Sequence, residues 1–292
     1  MAHKAGYVNI IGNPNVGKST LMNVLVGEKL SIITPKIQTT RHRIIGILNT
    51  NDYQIVFSDT PGVLEPHYLL QEAMMKNVSS ALEDADIFLL MTEIDADFSH
   101  EKVLLKILES KIPVLLLINK IDQSNQEKVN EKIIFWKSKY PSFEVIAISA
   151  LEKFNVEAIL NKIIELLPES EPYFPKDELT DKPERFFVSE IIREKILRFY
   201  QKEIPYSVEI EVETFKEEET IIKIRAIIYV ARDSQKGIII GHQGAALKKV
   251  GTEARKDLER FFQKQVFIEL YVKVNPDWRD NETQLKRFGY IQ

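Results

Sequence analysis

The chain has no cysteine, which excludes a disulfide framework and any thiolate metal site. Its five histidines are scattered without ligand spacing, so a zinc site is not expected. No apolar run approaches the length of a membrane span, and the charged start runs into a strand rather than a signal peptide. A soluble, cytoplasmic protein is therefore expected. A large excess of charge of one sign is missing too: 39 basic residues face 43 acidic ones, a net −4, which argues against nonspecific nucleic-acid binding. What remains is globular material, 44% apolar over 292 residues, enough for two cores and longer than one domain usually runs.

Five short words stand out against that background. Gly12-Asn13-Pro14-Asn15-Val16-Gly17-Lys18-Ser19 fits a phosphate-binding loop, whose backbone N–H groups wrap phosphates while Lys18 reaches the β and γ oxygens and Ser19 takes Mg²⁺. Residues 7–11 read as a buried strand ahead of it, and Thr20 opens a helix over 20–26 behind it. Thr39-Thr40 can close over Mg²⁺ and the γ-phosphate, either hydroxyl being able to serve. Asp59-Thr60-Pro61-Gly62 ends the strand 53–58; Asp59 can hold Mg²⁺ through water, and Gly62 can turn a backbone N–H toward the γ-phosphate. In Asn119-Lys120-Ile121-Asp122, the two carboxylate oxygens of Asp122 match the N1–H and amino donors of guanine, which adenine cannot present. Asn119 and Lys120 would order that loop and cover the base, and the backbone of Ser149-Ala150-Leu151 would close the other side.

Each word alone has an ordinary reading, as a turn or a helix cap. Together, in this order and at strand ends, they specify GTP/GDP and Mg²⁺, with Ser19, Thr40 and Asp59 as candidate metal ligands and Lys18, Thr40 and Gly62 as candidate catalytic groups. Val63 stands where Ras-like enzymes place the glutamine that orients attacking water, and valine offers neither donor nor acceptor. Slow intrinsic hydrolysis is expected. Asn15 could offer an amide oxygen to a monovalent cation such as K⁺, or simply stabilise its turn.

Up to about residue 167, apolar runs at 44–48, 55–57, 87–91, 114–118 and 145–148 alternate with helical patterns such as 99–108 and 155–167. That alternation predicts an α/β domain with a mainly parallel sheet, its ligand at the carboxyl ends of the strands. Pro168, Pro172, Pro175 and Pro183 then interrupt a polar stretch, read as a stiff linker that packs poorly. The expected division is 1–170, a linker at 171–184, and 185–292.

Beyond the linker the pattern becomes α+β: a helix over 185–200, strands at 207–215 and 220–231, a long helix over 245–263 and a strand at 265–273. Gly241-His242-Gln243-Gly244 lies between two helical stretches and resembles the clamp of a KH domain, whose tight turn brings backbone close to about four nucleotides. The element order looks like the type II variant. Two glycines three apart also simply end one helix and begin another. Charge favours the clamp: residues 236–264 carry seven basic and three acidic side chains, Lys248 and Lys249 just beyond the turn. Residues 1–179, by contrast, carry 18 basic against 24 acidic.

With Gln38-Thr39-Thr40-Arg41-His42, Glu203-Ile204-Pro205-Tyr206-Ser207 and Val274-Asn275-Pro276-Asp277-Trp278-Arg279 added to these words, the chain resembles the Era family of bacterial GTPases over nearly its full length. Asn13 departs from the arginine expected there in many members. The resemblance implies a P-loop GTPase domain followed by a type II KH domain. It also implies binding to the 3′ end of 16S rRNA and a role in assembly of the small (30S) ribosomal subunit. Peripheral association with the inner face of the membrane is implied too, and DNA is not expected. The rival readings are a nucleic-acid-binding module with a merely structural nucleotide site, or a GTPase with another RNA or membrane effector.

Overall fold

Strands Ile87–Glu93 (β4) and Val114–Asn119 (β5) are buried on both faces, as strands covered by helices on either side must be. They belong to a six-stranded sheet with Lys4–Gly12 (β1), Ile44–Asn49 (β2), Tyr53–Asp59 (β3) and Glu144–Ala147 (β6), in the order β2-β3-β1-β4-β5-β6. All pairs are parallel except β2 with β3 at one edge. The computed structural model describes residues 2–98 and 100–291. It divides into two units, Met1–Pro66 with Met74–Asp181, and His67–Ala73 with Lys182–Gln292.

Helices Lys18–Val26 (α1), Leu69–Glu83 (α2), Glu101–Ser110 (α3), Gln126–Lys139 (α4) and Val156–Leu166 (α5) accompany the first sheet. In α3 and α5 the apolar residues fall on one stripe, Leu104 and Ile107 in the first and Val156, Ile159 and Ile163 in the second. The helix predicted over 99–108 is α3, shifted by two residues; Ser99 itself lies outside the described residues. Neither α2 nor α4 is among the expected elements. Only Val129 and Trp136 of α4 are buried, so its apolar period is faint, although Asn125 accepts from Lys128 N at 2.9 Å as an N-cap.

The Pro-rich stretch is fastened down as far as residue 179, contrary to the reading of a poorly packing spacer. Gln54, fully buried in β3, donates to Phe174 O at 2.8 Å and accepts from Tyr173 N and Phe174 N at 2.7 and 3.0 Å. Ile47 N donates to Leu179 O and the Asn49 amide to Glu178 O. Proline blocks helix and ladder, yet it leaves carbonyls and neighbouring N–H groups for single bonds of this kind.

In the second unit, Glu209–Glu217 (β7), Ile221–Val230 (β8) and Gln265–Val274 (β9) form a sheet in that order, β7 with β8 antiparallel and β8 with β9 parallel. Helices Glu184–Phe199 (α6), Ile204–Ser207 (α7), Asp233–Ile240 (α8), Ala245–Phe262 (α9) and Glu282–Arg287 (α10) complete it. Alternate residues of β8, namely Ile222, Ile224, Ala226, Ile228 and Val230, join a core with Val188, Ile192 and Ile196 of α6 and Val250, Ala254 and Leu258 of α9. Lys195 of α6 pairs with Asp257 of α9, which fixes the register of the two helices. Trp278, fully buried, donates from its indole to Ser207 O at 3.1 Å and seats the C-terminal segment. This is the type II KH arrangement, so an α/β P-loop domain is followed by an α+β KH domain.

Candidate functional site

The loop after β1 is shaped by its backbone. Asn15 and Gly17 take φ of 62° and 102°, so successive N–H groups turn inward as an anion nest. A side chain at Gly17 would put Cβ 2.3 Å from Asn119 Nδ2. That amide donates to Val16 O at 2.8 Å while its oxygen accepts from Ala150 N at 2.9 Å, so Asn119 ties the phosphate loop to the base-side loop. Lys18 Nζ is held by Gly12 O and Asn13 O at 3.1 and 2.8 Å, and burial lowers its pKa to about 8. A bound polyphosphate would raise it again by favouring the charged form.

Ser19, Thr40 and Asp59 converge. Ser19 Oγ donates to Asp59 Oδ2 at 2.7 Å and lies 2.9 Å from Thr40 Oγ1, which itself donates to Asp59 Oδ2 at 3.3 Å. Asp59 is fully buried, its Oδ1 has no hydrogen-bond partner, and burial raises its pKa against the pull of Lys18. Hard oxygens around an unsatisfied buried carboxylate suit Mg²⁺, which favours oxygen ligands and would favour the charged form of Asp59. Thr39 is turned elsewhere, donating to Lys36 O at 2.6 Å with Thr34 Oγ1 at 2.7 Å.

Thr60 is buried and donates to Ile10 O at 2.7 Å, and Gly62 lies against Pro14. Pro61 links the two. Val63 is buried in the core with Ile11 and Val78 and presents no polar group to the site. Asn13 donates to Asp97 O at 3.0 Å, and Asn15 to Pro35 O at 2.9 Å, joining the phosphate loop to the segment that carries Thr40. Thr20 continues α1. On the base side Lys120 pairs with Glu93 at 2.6 Å, Ser149 Oγ accepts from Glu152 N at 3.1 Å, and Asp122 and Leu151 are exposed. Among the described residues no group of histidines and carboxylates gathers at metal-ligand distance, and no helix is long and apolar enough to cross a membrane.

In the second unit α8 ends at Gly241, whose N–H donates to Gly237 O at 2.9 Å. Gly241, Gln243 and Gly244 all have positive φ, of 70°, 49° and 78°, and a Cβ at Gly241 would meet that of Ala246 at 2.6 Å. His242 and Gln243 therefore stand out from a tight turn, exposed, at the N-terminus of α9. From this turn a groove of about 420 Å³ runs between α9 and β9, with Leu247, Lys248, Gly251 and Arg255 on one wall and Phe267 and Leu270 among the residues facing them. Of the two lysines, Lys248 lines the groove, whereas Lys249 sits 4.5 Å above the Phe199 ring.

Of the groove residues, Gly244 and Lys248 belong to the expected site and the others do not. On α9 the signal is present, since Gly244, Leu247, Gly251 and Arg255 recur at helical spacing. On β9 it appears only once the strand pairs at the sheet edge.

Residues 7–120 match the family described as 50S ribosome-binding GTPase, and 203–279 match the KH domain. The chain is 46% identical to GTPase Era of Thermoanaerobacter sp. (strain X514) over 99% of its length and 97% of that protein's. It is 48% identical to GTPase Era of Caldanaerobacter subterraneus subsp. tengcongensis over 99% of both. Its fold superposes with a TM-score of 0.95 and 39% identity on Era in complex with MgGDPNP and nucleotides 1506–1542 of 16S ribosomal RNA, covering 99% of this chain and 100% of that one. The two sites, their order in the chain and this full-length similarity place the protein in the Era family of GTPases.

Proposed function

We propose that the chain binds and hydrolyses GTP and, in its GTP state, holds the single-stranded 3′ end of 16S rRNA during assembly of the 30S subunit. The observation that carries this reading is one chain with both a Ser19–Thr40–Asp59 oxygen cluster beside Lys18 and a glycine turn opening onto a groove. An Era structure of the same fold contains both MgGDPNP and nucleotides 1506–1542 of 16S ribosomal RNA.

Ser19, Thr40 and Asp59 would hold Mg²⁺, which when bound neutralises charge on the β- and γ-phosphates. Lys18 binds the same oxygens, the Gly62 N–H faces the γ-phosphate, and Asp122 selects guanine with Asn119, Lys120 and the Ser149-Ala150-Leu151 backbone around the base. With Val63 in the core no side chain there orients water, and hydrolysis is slow. Asn15, bonded to the Pro35 carbonyl, provides with it a pair of oxygens able to take K⁺ once the amide turns over. Association with the inner membrane face belongs to this reading as a peripheral contact of a cytoplasmic protein.

Gly241-His242-Gln243-Gly244 would clamp phosphates against the start of α9, with Lys248 adding charge and Lys249 the weaker contributor. RNA affinity should differ between GDP and a GTP analogue, and by linkage RNA must change GTP affinity by the same factor. The test is the double variant His242→Asp, Gln243→Asp, which keeps both glycines. RNA binding should fall at least tenfold, on the order expected for two misplaced charges, with GTP hydrolysis unchanged. A folded double variant that binds the 16S segment as wild type does would leave the turn a plain helix junction.

A further inference from the structure

Two buried oxygens at the metal end of the nucleotide site are left over. Asp59 Oδ2 accepts from Ser19 and Thr40, but Asp59 Oδ1 has no hydrogen-bond partner, and neither has Ser31 Oγ. Ser31 is 1% exposed and Asp59 is fully buried, so bulk solvent satisfies neither. A buried hydroxyl without a partner is destabilising, and alanine would avoid that cost. Packing gives no reason for a serine here, since Leu30 and Ile32 on either side of it are buried aliphatic residues.

Ser31 stands where it does because α1 holds it. Asn23 lies one turn after Ser19 on the same face of that helix. Its amide oxygen accepts from Leu30 N at 3.0 Å and Ser31 N at 2.9 Å, and its amide nitrogen donates to Ser31 O at 2.8 Å. The backbone of Ser31 is thereby committed to the helix that carries Ser19, and the side chain alone is left for the site. That side chain is turned toward the Asp59 carboxyl, whose charged form it favours, without meeting it in hydrogen-bond geometry. Two buried polar groups that lie side by side and do not bond to each other are the usual setting of a bridging water.

We propose that Ser31 is a further binding residue of the metal site, accepting through Oγ from a water of the Mg²⁺ shell whose other proton goes to Asp59 Oδ1. Mg²⁺ gives up its waters reluctantly and takes few protein ligands, so the groups that orient those waters count in its affinity nearly as the direct ligands do. The Ser31 hydroxyl proton stays directed at the carboxylate. The proposal rests on the GTP-binding reading above and adds to it a residue that lies outside all five sequence words.

The test uses the full chain with a fluorescent GTP analogue and, separately, fluorescent GDP, each titrated with Mg²⁺ from a starting point in EDTA. Ser31→Ala should raise the Mg²⁺ concentration at half-saturation about tenfold, the scale of a lost outer-shell partner. It should do so with both nucleotides, because Asn23, and not the γ-phosphate, fixes Ser31. Nucleotide binding in EDTA and the thermal midpoint of the nucleotide-free chain should not fall. Ser31→Cys, close in size but a weak acceptor, should lose as much as alanine does. Recovery by cysteine would mean that Ser31 only fills space and would overturn the proposal. A folded Ser31→Ala with the wild-type half-saturation, or with a loss that is equally large in EDTA or confined to one nucleotide, overturns it as well and leaves the GTP-binding reading standing. Absence of Mg²⁺-dependent binding of either nucleotide by wild type overturns both.

Discussion

In the first unit Asp59, Thr60, Lys18 and Asn119 are buried and bonded to other parts of their site, whereas in the second His242, Gln243 and Lys248 stand exposed along an open groove. Burial suits a reaction that moves charge, because fixed dipoles in a dry site act strongly and need no rearrangement. An open wall suits a flexible strand, whose contacts are many and individually small. Substitutions in the first site should therefore act almost all or none, and those in the second by degrees.

Asp122 is the sharpest attempt to break that contrast, since it is proposed for the nucleotide site and is nevertheless exposed. The bound base is what would bury it. Asp122→Asn turns one acceptor into a donor facing guanine and should weaken GTP by roughly 2 to 4 kcal/mol, while xanthosine nucleotides gain relative affinity. Comparing GTP and XTP dissociation constants decides it, and unchanged GTP affinity would remove the base-recognition role.

Thr39 and Thr40 sharpen the comparison within one site. Thr40 Oγ1 faces Ser19 and Asp59, so Thr40→Ala should cost about 2 kcal/mol in Mg²⁺-dependent binding of a GTP analogue, as loss of a charge-assisted contact does. Thr39→Ala removes contacts to Lys36 O and Thr34 Oγ1, away from Ser19 and Asp59, and should leave the Mg²⁺ titration in place. Equal losses from the two would mean that the loop, and not one hydroxyl, holds the metal.

The same contrast governs what could be read from residues alone. Phosphate and guanine would each be met by turns contiguous in sequence, and each proposed Mg²⁺ ligand falls inside a short word, so Gly12 to Ser19, Asp59 to Gly62 and Asn119 to Asp122 declare themselves. The glycine turn proposed as a clamp is legible for the same reason. The choice of Thr40 over Thr39 was not, because it depends on which hydroxyl the loop turns inward. Phe267 and Leu270 join the groove through pairing of β9 with β8, which no local pattern announces. The docked strap at 173–179 escaped for a related reason: its partners Gln54, Ile47 and Asn49 lie more than a hundred residues away.

Gln54→Ala tests that strap. It leaves the N–H groups of Tyr173 and Phe174 without their acceptor, and the stability of the first unit should fall by roughly 1 to 3 kcal/mol. Urea unfolding read from that unit measures it. No change in midpoint would mean that water replaces the amide at no cost and that the strap is only laid on the sheet.

The smallest expected effect separates two neighbouring cations and shows whether the open site has defined contacts at all. Lys248 lines the groove, so Lys248→Ala should lower the salt slope of RNA binding by about 0.7, the value for one phosphate contact on a single strand. Lys249 lies 4.5 Å over the exposed Phe199 ring, beyond the residues that line the groove. Lys249→Ala should leave that slope unchanged and instead lower stability by about 0.5 to 1 kcal/mol, the worth of an exposed cation–π contact. Titrations at four or five salt concentrations distinguish the two. Equal slopes for both variants would mean that α9 attracts RNA as a diffuse positive field, and the groove would then owe its selectivity to the glycine turn and the β9 wall instead of to a placed charge.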